Sequence, residues 1–304
     1  MHNYLICGLS VWSELVLPGA VPQSGSTAAV DVHVRRGATP TTLGDNAEHG
    51  PNWEMDGGAC LLRIPRLARF LVVGGREITV ELEPGATVHD TSAHVLGTAL
   101  GILLHQRGTL VLHGAAVARN NEAIAICGHS GAGKSTLAAA LCREGATFVA
   151  DDISAIGFDD DHRPFVLPDG RQLKLWRETL ENLELNAQPD DAVRAGFEKY
   201  FVTPPSSVAG EPLPLRAIYV LKQALPPAKK GIEAMSLADA MATLDREAYR
   251  PGLRARMGSA SAVVAQGAMI MTHARMFRLI RPRGFESMAE TVDAVMRHWD
   301  GLAR

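Results

Sequence analysis

Residues 123–152 read AIAICGHSGAGKSTLAAALCREGATFVADD, and the order of their parts decides the fold. Residues 123–127 form a short, wholly apolar run, as a buried strand does. Residues 128–135 read Gly-His-Ser-Gly-Ala-Gly-Lys-Ser, the G-x-x-x-x-G-K-S spacing of a phosphate-binding loop. Residues 135–143 are helix formers, and 146–150 are apolar again before Asp151 and Asp152. Strand, glycine loop, helix and strand in this order predict an α/β fold with the loop at one edge of a sheet.

The loop needs these residue types. Gly128, Gly131 and Gly133 let the backbone curl so that several N–H groups aim at one phosphate. The helix that follows points its positive end at the same anion. Lys134 reaches the β- and γ-phosphates, and the Ser135 hydroxyl is suited to Mg²⁺. The expected nucleotide-binding stretch is Gly128, His129, Ser130, Gly131, Ala132, Gly133, Lys134, Ser135 and Thr136.

Asp151 and Asp152 close the apolar run at the point where a next parallel strand would emerge beside the loop. One carboxylate could hold a metal and the other accept a proton from an attacking hydroxyl. Neighbouring strand residues face opposite ways, so both can serve only if the strand ends at Ala150 or Asp151. The expectation is Asp151 toward the acceptor hydroxyl, and Asp152 with Ser135 at the metal.

His113 is placed by register. Asn120-Asn121 is a good two-residue hairpin turn between strand-like residues 115–118 and 123–127. If Arg119 pairs with Glu122, His113 falls opposite Gly128, and an imidazole stands beside the phosphates. It is the fourth candidate catalytic residue, with Lys134, Asp151 and Asp152.

Outward from this centre, residues 1–85 read as a small β-rich N-terminal domain, and 86–304 as the domain that carries the loop. Strand patterns cover 4–9, 28–34, 61–64, 69–73 and 77–82, with Gly74-Gly75 as a hairpin turn. Residues 23–27 and 37–52 read as loops. Residues 90–106 are helical, 109–112, 217–221 and 276–280 are strands, 203–214 a loop read as an ordinary solvated linker or as a lid or substrate clamp, and 285–299 a closing helix. Lys174 and Trp176 are open readings, nucleotide or peptide contact against packing, and Lys199-Tyr200 precede the loop at 203–214. Arg250, Arg254 and Arg256 could grip an anion or form a solvated face. Arg275, Arg278, Arg281 and Arg283 read as a surface pattern, and Met269 and Met271 as core.

Composition excludes several classes. The chain has 304 residues, 46% hydrophobic and 21% charged, enough for a sizeable core. Thirty Lys+Arg against 33 Asp+Glu gives a net charge of −3, which argues against a nucleic-acid coat. The four cysteines, Cys7, Cys60, Cys127 and Cys142, form no CxxC pair and read as buried reduced thiols. The first residues lack a basic stretch before their apolar run, and no run of about 18 apolar residues suggests a membrane span. The expectation is a cytoplasmic protein with neither nucleic acid nor membrane as partner, self-association being left open.

The ordered set His113-Gly114, 128–135 and Ala150-Asp151-Asp152 resembles the catalytic domain of HPr kinase/phosphorylase, whose P-loop is related to that of phosphoenolpyruvate carboxykinase. The short gap between loop and acidic pair is part of the likeness. The resemblance is closest to a diverged branch, the HPr-kinase-like tailoring kinases of lasso-peptide biosynthesis. It runs through 9–18 (LSVWSELVLP), 96–108 (LGTALGILLHQRG), 112–117 and 169–176 (DGRQLKLW), and is best over roughly 85–200. It implies an HPr-kinase-like P-loop domain with a central mixed β-sheet and flanking helices. It also implies ATP and Mg²⁺ as cofactors, and as partner a precursor peptide phosphorylated on its C-terminal serine. The Glu-Val-Arg-Gly signature of bifunctional members is missing, so phosphorolysis is not implied. Two other readings stay open: a kinase of a small hydroxyl compound such as free serine, and a nucleotide-gated binding module without transfer activity.

Overall fold

The computed structural model describes every residue except 24–28, 189, 190, 194, 195, 197, 205, 209, 226–228, 259, 303 and 304. Among the described residues, the first eight strands form one sheet. They are β1 (His2–Ile6), β2 (Leu9–Ser13), β3 (Val32–Arg36), β4 (Glu48–His49), β5 (Trp53–Asp56), β6 (Ala59–Ile64), β7 (Ala68–Val73) and β8 (Glu77–Leu82). Their order is β1-β2-β3-β8-β7-β6-β5-β4. The single strand expected over 4–9 is instead a hairpin. Cys7 and Gly8 both take positive φ, 50° and 75°, and form its two-residue turn. Gly74 and Gly75 also take positive φ, 58° and 65°, in the three-residue hairpin turn between β7 and β8. Of the strand read over 28–34, Ala28 lies outside the described residues and β3 begins only at Val32. Residues 24–27 of the expected loop 23–27 lie outside them too.

The helical stretch expected over 90–106 is one run in three parts: α1 (Val88–His94), a π-helical turn over Val95–Ala99, and α2 (Leu100–Gln106). Its leucines pack onto the first sheet. Leu96, Leu100, Leu103 and Leu104 share a core with Ile6, Phe70 and Val80. The β-rich half is therefore sealed by the helix that follows it.

His105 marks the other side of this helix. It is buried, and its Nε2 lies 2.8 Å from the Tyr249 carbonyl oxygen. Burial holds its pKa below the ordinary 6.5. The unfolded chain therefore binds a proton that the folded chain refuses, so stability present above 6.5 declines as pH falls below it. Melting temperature should drop between about pH 7.5 and pH 5.5, and less steeply in a His105→Gln variant. Equal slopes would rule this out.

The second sheet carries the glycine loop. Its strands are β9 (Leu110–Leu112), β10 (Gly114–Arg119), β11 (Glu122–Cys127), β12 (Thr147–Ala150), β13 (Ser154–Phe158), β14 (Pro164–Leu167), β17 (Leu213–Gln223), β18 (Gly231–Ala234) and β19 (Arg275–Arg281). A separate hairpin pairs β15 (Leu173–Trp176) with β16 (Lys199–Val202). β11, β17 and β19 run parallel, whereas β10 and β12 lie antiparallel beyond β11. The sheet is thus mixed, and β12 is not the strand next to the loop strand. β10 sits between them, yet two antiparallel steps restore direction. The C-terminal end of β12 therefore emerges at the same edge as the loop.

Helix α3 (Lys134–Arg143), opening at the loop, and α8 (Met288–Leu302) cover one face, with Leu137, Leu141, Val292 and Trp299 in the core. On the other face Leu244 of α5 (Leu237–Arg246) and Ile270 of α7 (Ala260–His273) pack under the sheet. Of the methionines read as core, Met271 packs at the rim of that core, whereas Met269 is half-buried and belongs to none of the core clusters. Two short helices, α4 (Arg177–Asn182) and α6 (Pro251–Met257), follow β15 and the turn after α5. All four cysteines are buried and free, and burial raises the Cys7 thiol to about 12. Among the described residues, no helix is long and apolar enough to cross a membrane.

Candidate active site

The hairpin register holds throughout β10–β11, from Arg119↔Glu122 to Gly114↔Cys127. Asn120 and Asn121 take φ of 54° and 59°, the left-handed pair such a turn needs. His113 therefore stands one residue before β10, opposite the start of the loop. Its backbone N–H donates to the Glu247 carbonyl at 2.7 Å. Its Nδ1 lies 3.2 Å from the Asp152 carbonyl oxygen and 3.5 Å from Asp152 Oδ1. Burial, and then the Lys134 ammonium, lower its pKa, so the ring is neutral at pH 7.

The loop leaves β11 at Gly128 and enters α3 through Gly133, whose φ is 89°. A Cβ at Gly133 would sit 2.4 Å from Arg281 Nη2, so conformation and space both require glycine. No side chain caps α3, which leaves its first N–H groups for an anion. Lys134 is buried at 8% exposure and folds back, with Nζ donating to the carbonyls of Gly128 at 2.9 Å and His129 at 3.2 Å. Burial pulls its pKa down, while Cys127, Asp151, Asp152 and Glu247 push it up.

β12 ends at Ala150, and the chain turns at once because Asp152 takes a left-handed φ of 73°. Both carboxylates thereby reach the loop, from different sides. Asp151 is 3% exposed; its Oδ1 accepts from Ser135 Oγ at 2.7 Å and its Oδ2 from the Lys174 N–H at 3.1 Å. Asp152 lies further out, its Oδ2 3.2 Å from Lys174 Nζ. Burial would raise the Asp152 pKa, but Lys174 and Arg171 outweigh it and hold the carboxyl well below the usual range. The expected pairing of Ser135 with Asp152 is thus corrected: Ser135 meets Asp151. The left-handed turn at Asp152 swings the second carboxylate toward His113.

A buried pair that the sequence did not reveal fixes this turn. Asp169 Oδ2 accepts the Asp151 N–H at 2.8 Å, and Arg171 Nη2 donates to the Asp151 carbonyl at 2.7 Å. Arg171 also donates to the Leu96 carbonyl at 2.7 Å, tying the π-helical turn to the acidic pair. A helix turn of this kind often marks a working site. Burial would lower the Arg171 pKa, but Asp169, 3.0 Å away, raises it further. Glu247 is a second residue missed from sequence. Its Oε2 accepts the Gly128 N–H at 2.8 Å and so holds the start of the loop. Arg281 is a third, and the surface reading given to its arginine row fails there. It is buried, donates through Nη2 to the Ala132 carbonyl at 2.9 Å, and its buried Nη1 has no partner. Arg278, by contrast, pairs outward with Asp239 at 2.9 Å.

Two cavities meet here. One, of about 510 Å³, lies over Gly131–Thr136 with Asp151, Trp176, Lys199 and Arg281 on its walls. The other, of about 870 Å³, is lined by Thr98, Glu247, Tyr249 and Arg250, among others. His113, Ser130 and Asp152 belong to both. His129 lines the second and Thr136 the first. Of the residues left open, Lys174 is on Asp152, Trp176 and Lys199 form a wall, and Tyr200 is core. Within the loop read over 203–214, residues 205 and 209 lie outside the described ones; Ser206 and Val208 bond the backbone of Phe148. That pairing makes the segment an edge of β12 instead of a free lid.

No protein-family model and no curated protein matches the sequence. Among solved structures, the chain is similar to the HPr(Ser) kinase/phosphatase from Coxiella burnetii. Identity is 12%, the likeness covers 64% of this chain and 99% of that one, and the TM-score is 0.36. At that level the likeness settles nothing about the site, whose chemistry rests on the contacts above.

The donor set fits a magnesium nucleotide. An uncapped helix start, a lysine resting on loop carbonyls and a buried arginine with an unpartnered nitrogen await negative charge. Ser135 with Asp151 offers the hydroxyl and carboxylate that Mg²⁺ takes alongside phosphate oxygens and water. Among the described residues no cluster of three or more His, Cys, Asp or Glu could hold a metal by itself.

Proposed function

We propose that the chain is an ATP-dependent kinase that transfers the γ-phosphoryl group to a serine hydroxyl, on the C-terminal residue of a precursor peptide. One observation carries the reading: the Asp152 carboxylate stands where the two cavities meet, the loop and Lys134 on one side and an open cavity on the other. ATP would lie in the cavity over Gly131–Thr136, and the acceptor in the other. Residues 86–304 would form the catalytic unit, with 1–85 as a β-rich domain sealed against it by α2.

The roles follow from the contacts. Asp152 accepts a hydrogen bond from the acceptor hydroxyl and orients its oxygen in line with the γ-phosphorus. The new O–P bond forms as the bond from that phosphorus to the β–γ bridging oxygen breaks, and the electron pair leaves with ADP. The hydroxyl proton passes to Asp152. Its low pKa makes it a weak base, which suits a loose transition state in which positioning outweighs proton removal. Lys134 neutralises charge on the transferred group, and Arg281 supports the loop beside it. Ser135 and Asp151 would hold Mg²⁺, which supplies charge neutralisation on the phosphates. Neutral His113 keeps Asp152 in place through its ring nitrogen.

The reading is tested with γ-labelled ATP and a peptide ending in serine. Label should pass to the peptide, and changing the terminal serine to alanine should remove all of it. Label on an internal residue would refute the C-terminal assignment while keeping the kinase. Tight ATP binding with no transfer to any hydroxyl acceptor would leave a nucleotide-gated binding module instead.

A further inference from the structure

The cavity on the far side of Asp152 has a charge its known contacts do not neutralise. Arg246, Arg250 and Lys222 line it, against the carboxylates of Asp152 and Glu247. Both of those carboxylates are engaged: Asp152 with Lys174, and Glu247 with the Gly128 N–H. Among the described residues no carboxylate lies within ion-pair distance of Arg250 or Arg246. Arg250 is nevertheless held in place. Its Nη2 donates to Thr98 Oγ1 at 3.0 Å, and its guanidinium lies 5.9 Å from the centre of the Tyr249 ring. The ring in turn packs on Gly101, where a Cβ would come within 2.6 Å of it. Tyr249 is tied to the sheet by its N–H, which donates to the Val111 carbonyl at 2.8 Å. Its ring lies 5.7 Å from that of His113.

The three arginines near Gly252 are not equivalent. Arg254 is buried against Asp245 at 3.3 Å and Gln266 at 3.2 Å, and Arg256 pairs with Glu48. Only Arg250 turns to the cavity. It is fixed by neutral partners and has its charge unspent.

We propose that this cavity is a carboxylate subsite: Arg250, backed by Arg246, grips a free carboxylate on the residue whose hydroxyl faces Asp152. A guanidinium matches the two oxygens of a carboxylate in one plane, and Thr98 and Tyr249 pre-set its orientation. The acceptor class is then a serine with a free α-carboxylate. At about 870 Å³ the cavity has room for a serine at the end of a longer chain. The inference rests on the kinase reading above and adds to it the group that selects the acceptor.

The test is a two-by-two comparison with γ-labelled ATP. The acceptors are Gly-Gly-Ser with a free C terminus and the same peptide amidated; the enzymes are the whole chain and its Arg250→Met variant. Wild type should favour the acid by about 10- to 100-fold in kcat/KM, as a lost charge-assisted hydrogen bond dictates. Arg250→Met should bring that ratio to about one, Arg250→Lys should restore part of it, and the KM for ATP should not move. The ratio is insensitive to a fraction of unfolded enzyme, which lowers both rates alike. A wild-type ratio near one, or a ratio that survives in Arg250→Met, overturns the carboxylate subsite and leaves the kinase standing. No label on either peptide, with MgATP bound, sinks the kinase reading and the subsite with it.

Discussion

Phosphoryl transfer by a Lys134→Ala variant should fall by about 10³-fold at saturating ATP, the scale on which preorganised transition-state charge contacts act. Lys134 is the one cation set inside the loop, its Nζ 2.9 Å from the Gly128 carbonyl. When a nucleotide enters, the same Nζ can turn from loop carbonyls to phosphate oxygens without leaving the cavity. The fold should survive the change. The side chain is buried, but burial disfavours its charge, as its lowered pKa shows. Removing it deletes two hydrogen bonds to loop carbonyls that the cavity can hydrate, and leaves Leu137 and Leu141 of α3 in their core. The measurement is single-turnover label transfer beside a melting curve. A normal melt with a collapsed rate is the expected pair. Wild-type turnover at matched ATP would remove the loop from the mechanism.

The parts of this site that could be read from sequence are those set by local rules. The β10–β11 register followed from one turn, because partners in a hairpin are fixed once its turn is fixed. The loop spacing gave Lys134 and Ser135 their places, and the end of β12 at Ala150 followed from the need for two carboxylates on one side. What escaped depends on closure between distant segments. Glu247 reaches Gly128 across 119 residues, and Arg281 reaches Ala132 across 149. No local pattern marks either one. The arginines at 275, 278, 281 and 283 are spaced by three, three and two residues, so they do not keep to one face of a strand; β19 lies between β17 and β18, and its last residue, Arg281, donates to the Ala132 carbonyl of the loop. That Ser135 meets Asp151 and the Asp152 carboxylate turns to His113 follows from a single torsion. Alternation assumes extended backbone, and Asp152 leaves it with a φ of 73°. Such a torsion in a residue other than glycine costs free energy, and here Arg171, Asp169 and Lys174 hold it in place.

The two aspartates should therefore fail in different ways. Asp151→Asn keeps the shape but weakens the acceptor that takes the Ser135 hydroxyl at 2.7 Å. Its loss should raise the Mg²⁺ concentration needed for half-maximal rate, and extra Mg²⁺ or Mn²⁺ should restore part of the activity. Asp152→Asn leaves Ser135 and Asp151 untouched. Transfer should drop by about 10²- to 10⁴-fold with ATP affinity and metal requirement roughly intact, because positioning and proton acceptance are lost together. No metal concentration should rescue it. In the wild type, Asp152 is held ionised by Lys174 and Arg171, so its protonation should not shape the rate near neutral pH. Rate measured against metal concentration in both variants separates the roles. Metal rescue of Asp152→Asn with none for Asp151→Asn would restore the assignment expected from sequence, Asp151 at the acceptor hydroxyl and Asp152 at the metal. If both variants match wild type, neither carboxylate serves the transfer, and the meeting of the two cavities at Asp152 has another purpose.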